Sequence, residues 1–288
     1  MPVSPDASFR SVLVTGASSG IGQAAALALA KRGWRVFATA RREEDLARLR
    51  DEGLTAVPLD LDDSDSIAAC LEAVLEATDG RLDALFNNAA YGQPGAVEDL
   101  SREVLRAQLE TNLLGTHELT CRVLTAMRRQ GAGRIVQNSS VLGLAAMPYR
   151  GAYVCSKFAL EGLTDTLRQE LHGSGIRVSL IEPGPITSRF RENAYRAFKA
   201  HIDTAHSAHA DTYRAVEARL AGHDDGGPFT LGPDAVVDKL VHALESPRPR
   251  ARYYVTVPTH LFGTLKRLLG TRMLDRVLLR ATRGERQP

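Results

Sequence analysis

The chain has 288 residues, 44% of them hydrophobic and 24% charged, the profile of an ordinary globular protein with apolar side chains enough for a large core. A formal net charge of +2 is too small a basic excess to argue for nucleic acid, and no run of about 18 apolar residues offers a membrane-spanning helix. Cys70, Cys121 and Cys155 are an odd, widely spaced set without metal-ligand spacing, and the opening MPVSPDASFR lacks a charged-then-apolar leader; the expected compartment is the cytoplasm.

Short runs rich in Val, Ile and Leu alternate with longer stretches of helical period, which predicts a parallel sheet covered by helices on both faces. Strands are expected at residues 11–15, 35–40, 55–59, 84–87, 134–138, 177–181 and 253–257. Helices are expected at 21–32, 64–77, 101–129, 151–172 and 233–244. No Pro/Gly-rich linker and no internal repeat divides the chain, so the expected fold is a single α/β domain built on a doubly wound parallel sheet. Two additions break the rhythm. Residues 188–228, polar and helix-prone with a GHDDGGP break, form a helical lid insertion, and a basic amphipathic helix occupies the tail from about 259 to 288.

The first expected strand runs straight into Thr15-Gly16-Ala17-Ser18-Ser19-Gly20-Ile21-Gly22, which opens a helix. Glycines there allow a tight turn and a close backbone approach, and a helix amino terminus offers unpaired N–H groups to a pyrophosphate. An ordinary Gly/Ser turn is the plain alternative. After the second strand, Ala40 stands where an NAD site would carry an acid for the ribose hydroxyls, and Arg41 and Arg42 follow. A guanidinium binds a 2′-phosphate through charge-assisted bonds, so Arg41 is the candidate and NADP(H) is preferred over NAD(H). Arg42 reads equally well as part of a solvated helix with Glu43, Glu44 and Asp45.

Tyr153 and Lys157 stand one helical turn apart, the spacing at which an ammonium can favour a phenolate. Tyr195 and Lys199 share that spacing and warn that it is not specific. The surroundings separate the two pairs, because Tyr153 follows a strand ending Gln137-Asn138-Ser139-Ser140.

The turn at 15–22 matches T-G-x-x-x-G-x-G at every fixed position, and with SSVLGLAAMPYRGAYVCSKFALEG at 139–162 the chain resembles the classical short-chain dehydrogenase/reductase family. That resemblance implies a Rossmann-type fold with a cofactor-binding half at about 10–138 and a catalytic half at about 139–258. Ser140 lies thirteen residues before Tyr153, the family's separation for its catalytic serine, whereas Glu182 occupies that place before Tyr195. The implied catalytic set is Asn112, Ser140, Tyr153 and Lys157, with Tyr153 as general acid/base and Asn112 steadying a relay water. Asp60 and Leu61 would border the adenine. Asn88 and Ala89 belong to an N-N-A-A quartet that departs from N-N-A-G at Ala90. Pro183, Gly184, Ile186 and Thr187 would close over the nicotinamide, which Tyr153 and Lys157 also contact.

The apolar loop 141–147 and the lid residues Phe190, Tyr195 and Phe198 suit a small apolar carbonyl or alcohol substrate. The wider pattern resembles the branch of 17-beta-hydroxysteroid and retinol dehydrogenases, which implies an aliphatic aldehyde, a retinoid or a steroid-like compound. It also implies a homodimer or homotetramer. The rivals are a non-catalytic NADP-binding regulator on the same fold, marked by a broken Tyr/Lys pair, and an epimerase or dehydratase with a larger carboxy-terminal domain. The tail reads as a helix packed on the core or a partner subunit in preference to one lying on an anionic membrane. His201, His206 and His209 place no three on one helical face, and no metal is expected.

Overall fold

Along β1 (Ser11–Val14), Val12 and Val14 turn to one face of the sheet and Leu13 to the other, so three consecutive residues feed two separate cores. The computed structural model describes residues 10–222, 227 and 229–285; the amino-terminal stretch read for a leader, most of the GHDDGGP break and the last three residues lie outside it. Six further strands run parallel to β1: β2 (Arg35–Ala40), β3 (Thr55–Pro58), β4 (Ala84–Asn87), β5 (Gly133–Asn138), β6 (Ile176–Glu182) and β7 (Arg252–Tyr254). Their spatial order is β3-β2-β1-β4-β5-β6-β7.

The helices in chain order are α1 (Gly20–Lys31), α2 (Glu43–Asp51), α3 (Ser64–Glu76), α4 (Arg102–Leu109), α5 (Thr116–Gln130) and α6 (Gly151–Glu170). After them come α7 (Phe190–His201), α8 (Ala210–Ala221), α9 (Asp234–Glu245), α10 (Val257–Leu268) and α11 (Thr271–Ala281). Ala25 and Leu29 of α1, Leu46 and Leu49 of α2, and Val236 and Leu240 of α9 seal the first face. Ile67 and Val74 of α3, with Leu119, Val123 and Met127 of α5, seal the second. This is the doubly wound, Rossmann-type sheet that the strand–helix rhythm predicts. The strand order reverses between β1 and β4, and the connections leaving those strands part to open a crevice at their carboxyl ends.

Three elements differ from expectation. The single helix predicted over 101–129 is interrupted by a π-helical turn, Glu110–Gly115, between α4 and α5. An extra residue in one turn leaves the apolar pattern on either side intact, so the sequence period does not reveal it. Gly115 packs there so closely that a Cβ would lie 1.9 Å from the Leu61 carbonyl oxygen. The last strand stops at Tyr254, before the predicted 257, because Val257 and Pro258 already open α10. The tail is two helices, broken at Gly270, which caps α11.

The tail packs on the core, as the favoured reading had it: Phe262 of α10 and Leu278 of α11 are buried against Val141 and Ala145. In the lid, Phe198 of α7 and Tyr213 and Val216 of α8 bury themselves against Ala96, with Tyr149 alongside. Lys199 and Tyr195 both bond to Glu217 of α8, so the second Tyr/Lys pair ties one lid helix to the other. Among the described residues no helix is long and apolar enough to cross a membrane.

These packing differences predict opposite outcomes for two glycines. Gly115→Ala drives a methyl into the Leu61 carbonyl and should destabilise by about 1–3 kcal/mol. Gly162→Ala, on an open stretch of α6 with nothing within 4 Å of the new methyl, should stabilise by about 0.5–1 kcal/mol. Urea midpoints of the two variants against the parent protein measure both.

Candidate active site

A line of hydrogen bonds crosses the carboxyl ends of three strands. Just past β1, Thr15 Oγ1 accepts from the backbone N–H groups of Asn88 (2.8 Å) and Ala89 (2.9 Å), beyond β4. The Asn88 amide donates to the carbonyls of Thr15 (3.0 Å) and Gly16 (3.2 Å). Asn138, at the end of β5, donates to Asn88 Oδ1 at 2.9 Å, and its carbonyl accepts from Lys157 Nζ of α6 at 2.8 Å. The turn at 15–22 is thereby connected to Lys157 through Asn88 and Asn138. Sequence reasoning named Asn88 but passed over Asn138, whose one signal is a polar side chain closing a buried strand.

The turn has the form of an anion cradle. Gly16 has a φ of +66°, and a Cβ on Gly22 would fall 2.2 Å from the Gly16 carbonyl and 2.6 Å from the Asn88 amide. Ser19 precedes α1 in extended conformation without capping it, and the first turn of α1 carries no acid. Its leading N–H groups therefore face outward without a side-chain acceptor, which fits a phosphate. Ala17 donates to the Thr39 carbonyl at 2.8 Å, laying Ser18 beside the end of β2. There Arg42 is committed to Asp45 and Glu44, whereas Arg41 makes no ion pair among the described residues. Asp60 and the buried Leu61 follow β3; Asp60 N donates to Ser66 Oγ at 2.9 Å, and its carboxylate accepts from Asp62 N at 3.1 Å.

On the opposite wall, Gly184 leaves no room for a side chain against Thr256, and Ile186 is held opposite Leu231 by backbone bonds from Thr187 N to the Leu231 carbonyl (2.9 Å) and from Leu231 N to the Pro185 carbonyl (3.2 Å). Thr187 is exposed. The residue that leans over the phosphate turn is its neighbour Ser188, 3.0 Å from the place a Gly20 Cβ would take. Sequence reasoning missed it by one position, though P-G-x-x-x-T counted from Pro183 ends at 188.

Along α6, Tyr153, Lys157, Glu161 and Asp165 recur every four residues and so form one stripe. Tyr153 meets Phe190 edge-on at 5.2 Å between ring centroids, and a side-chain bond joins it to Ser140. Ser140 Oγ also accepts from Leu142 N at 3.1 Å. Lys157 Nζ is 5.6 Å from the Tyr153 ring centre. The sequence reading expects that lysine to lower the phenol's pKa, but burial dominates and pushes Tyr153 up, with Ser140 pulling only partly the other way. Burial pushes Lys157 down to about 8, against the opposing charge of Glu161.

Asn112 is buried in the π-helical turn, where its side chain pairs with both backbone groups of Tyr91 and donates to Ser156 Oγ at 3.2 Å. It makes no direct bond to Lys157 among the described residues. The loop 141–147 also differs from expectation: Val141, Leu142, Ala145 and Met147 pack against α10 and α11, so part of the foreseen substrate wall is core. His201, His206 and His209 are engaged with Gln93, Asp203 and Glu98 respectively.

Beneath Lys157 lies a charge cluster absent from the sequence reading. Arg252 of β7 binds Glu161, Glu182 (2.8 Å) and Asp165 (2.5 Å), and Glu182 also accepts from Tyr253 N at 3.1 Å. Glu182 is fully buried, and burial, with the neighbouring Glu161 carboxylate, pushes its carboxyl up to about 8. Two buried carboxyls share one guanidinium, so a proton is retained there near neutral pH.

A short chain dehydrogenase family model matches residues 10–198. The uncharacterized oxidoreductase YbbO of Escherichia coli K12 is 44% identical over 269 residues, covering 93% of this chain and 94% of that protein. Human 17-beta-hydroxysteroid dehydrogenase type 1 is 33% identical over 259 residues, covering 85% of this chain and 77% of its own. A short-chain dehydrogenase/reductase from Burkholderia phymatum in complex with NAD superposes with a TM-score of 0.77 at 28% identity, over 94% of this chain and 95% of that one. Actinorhodin polyketide ketoreductase with NADPH superposes with a TM-score of 0.69 at 30% identity, over 86% and 95% of the two chains.

Glu182 gives the site a pH signature that needs no substrate. Its folded pKa of about 8 lies above the ordinary 4.5, so the stability it contributes is complete below pH 4.5 and is lost as pH rises toward 8. Urea unfolding between those limits should show stability falling with pH, and Glu182→Gln should flatten the fall.

Proposed function

The chain belongs to the short-chain dehydrogenase family, and on that footing we propose that it interconverts apolar carbonyl compounds and their alcohols with NADP(H). The observation that carries this reading is the meeting of Ser140, Tyr153 and Lys157 at the carboxyl ends of the strands, bonded through Asn138 and Asn88 to the phosphate turn. Residues 15–22 hold the pyrophosphate on the uncapped start of α1. Asp60 and Leu61 border the adenine, Asn88 and Ala89 the middle of the groove, and Pro183, Gly184, Ile186 and Thr187 close its nicotinamide end.

When bound, the dinucleotide supplies the hydride that reaches the carbonyl carbon. Ser140 donates a hydrogen bond to the carbonyl oxygen as negative charge grows there. Tyr153 then gives that oxygen its proton. A phenol that burial keeps protonated at neutral pH stands ready for this half of the chemistry. In alcohol oxidation the phenolate form of Tyr153 takes the alcohol's proton and becomes the phenol again, and the Lys157 ammonium one turn away favours that phenolate. Asn112 fixes the backbone at Tyr91 against α6, and in the reaction it would steady a relay water that returns the proton through Lys157.

The cofactor choice rests on Ala40 and Arg41: no carboxylate at the end of β2 repels a 2′-phosphate, and Arg41 is free of ion pairs among the described residues. The apolar substrate rests on Phe190, which stands edge-on to Tyr153. Purified protein should consume NADPH with at least one member of a panel of aliphatic aldehydes, retinal and ketosteroids, and about 10- to 150-fold less efficiently with NADH. Arg41→Ala should erode that preference. Tight NADPH binding with no turnover on any of these carbonyls would contradict the proposal.

A further inference from the structure

A third arginine reaches the rim of the phosphate turn. Arg48 stands on α2, yet its Nη2 donates to the Ser18 carbonyl at 2.6 Å as well as to Asp45 Oδ1 at 2.6 Å. Asp45 is only 3% exposed, and its other oxygen accepts from Arg42 Nε at 2.9 Å. A buried carboxylate is costly unless paired, and this one is paired twice, across the mouth of the turn. Burial pushes its carboxyl up, but hydrogen bonds from Arg42 and Arg48 outweigh that and hold it below its ordinary value.

A pair made only to steady α2 would end at Asp45. The bond to Ser18 instead fixes the guanidinium on the turn where it meets the end of β2, the strand that Arg41 directly follows. Arg48 Nη1 and Nε have no partner among the described residues, nor does Arg41. Glu44 and Asp45 pair with Arg42 and Arg48, and Arg41 adds a third guanidinium that neither acid neutralises, which leaves the rim positive. A planar fork already held in place loses little freedom when it binds an anion.

We infer that Arg48, locked by Asp45 and the Ser18 carbonyl, is the second arm with Arg41 of a guanidinium clamp for the 2′-phosphate of NADP(H). This rests on the NADP(H) reading above and adds to it a specificity-determining residue from α2. Arg41 gives the clamp reach, and Arg48 gives it a fixed anchor on the turn itself.

The test is equilibrium binding of NADPH and NADH, followed by nicotinamide fluorescence, for the wild-type protein and for Arg48→Gln, Arg48→Ala and Arg41→Ala. Glutamine keeps an amide donor on a shorter, uncharged side chain, and the contrast between NADPH and NADH separates phosphate recognition from bracing of the turn. The clamp predicts that Arg48→Gln weakens NADPH by about tenfold or more and leaves NADH within about threefold. Equal weakening of both nucleotides would make Arg48 a brace and overturn the inference. Wild-type discrimination that Arg41→Ala abolishes and both Arg48 variants preserve would overturn the clamp alone. Equal wild-type affinity for the two nucleotides would overturn the NADP(H) reading, and the clamp with it.

Discussion

The hydrogen bonds that run from Thr15 through Asn88 and Asn138 to Lys157 fix the geometry of everything around them. They join the end of β1 to that of β4, β4 to β5, and β5 to α6, so the phosphate turn and the catalytic helix are referenced to the same sheet. The net worth of such bonds is about 0.5–1.5 kcal/mol each. Their larger effect is on position, because a buried donor left unmet would cost more than the bond gains. The crevice where the strand order reverses therefore comes with its floor already in register.

Burial sets the proton chemistry built on that floor. It pushes the Tyr153 phenol up and the Lys157 ammonium down, moving each toward its own neutral form. Glu161 acts against the shift at Lys157, and Arg252 holds Glu161 and Glu182 together beneath it. The stripe of Tyr153, Lys157, Glu161 and Asp165 thus alternates a proton donor with groups that tune it. Helical spacing makes the stripe, and the sheet supplies the counter-charge from β7.

The sheet, the phosphate turn and the Tyr153–Lys157 pair were legible because each is a local pattern with a physical period: alternation in strands, glycine in a tight turn, four residues on a helix face. What stayed hidden is long-range. Arg252 meets Glu161 and Glu182 across 91 and 70 residues of sequence. Arg48 looks like a surface partner of Asp45 until the turn is folded against α2. The π-helical turn around Asn112 leaves the apolar pattern unaltered, and Ser188 differs from Thr187 only in which way the chain turns after Pro185. The decoy pair Tyr195 and Lys199 had the right spacing and the wrong surroundings, and Glu217 shows its use in joining the lid helices. Likewise the apolar loop after Ser140 was read as substrate wall, though α10 and α11 claim much of it.

Tyr153→Phe removes one oxygen and leaves the packing around Phe190, the phosphate turn and Lys157 in place. Turnover of the best carbonyl substrate should fall by about 10²- to 10⁴-fold, the scale of a lost general acid, while NADPH affinity stays within about threefold. Turnover close to that of the wild-type protein would contradict the assignment of Tyr153 as the proton donor.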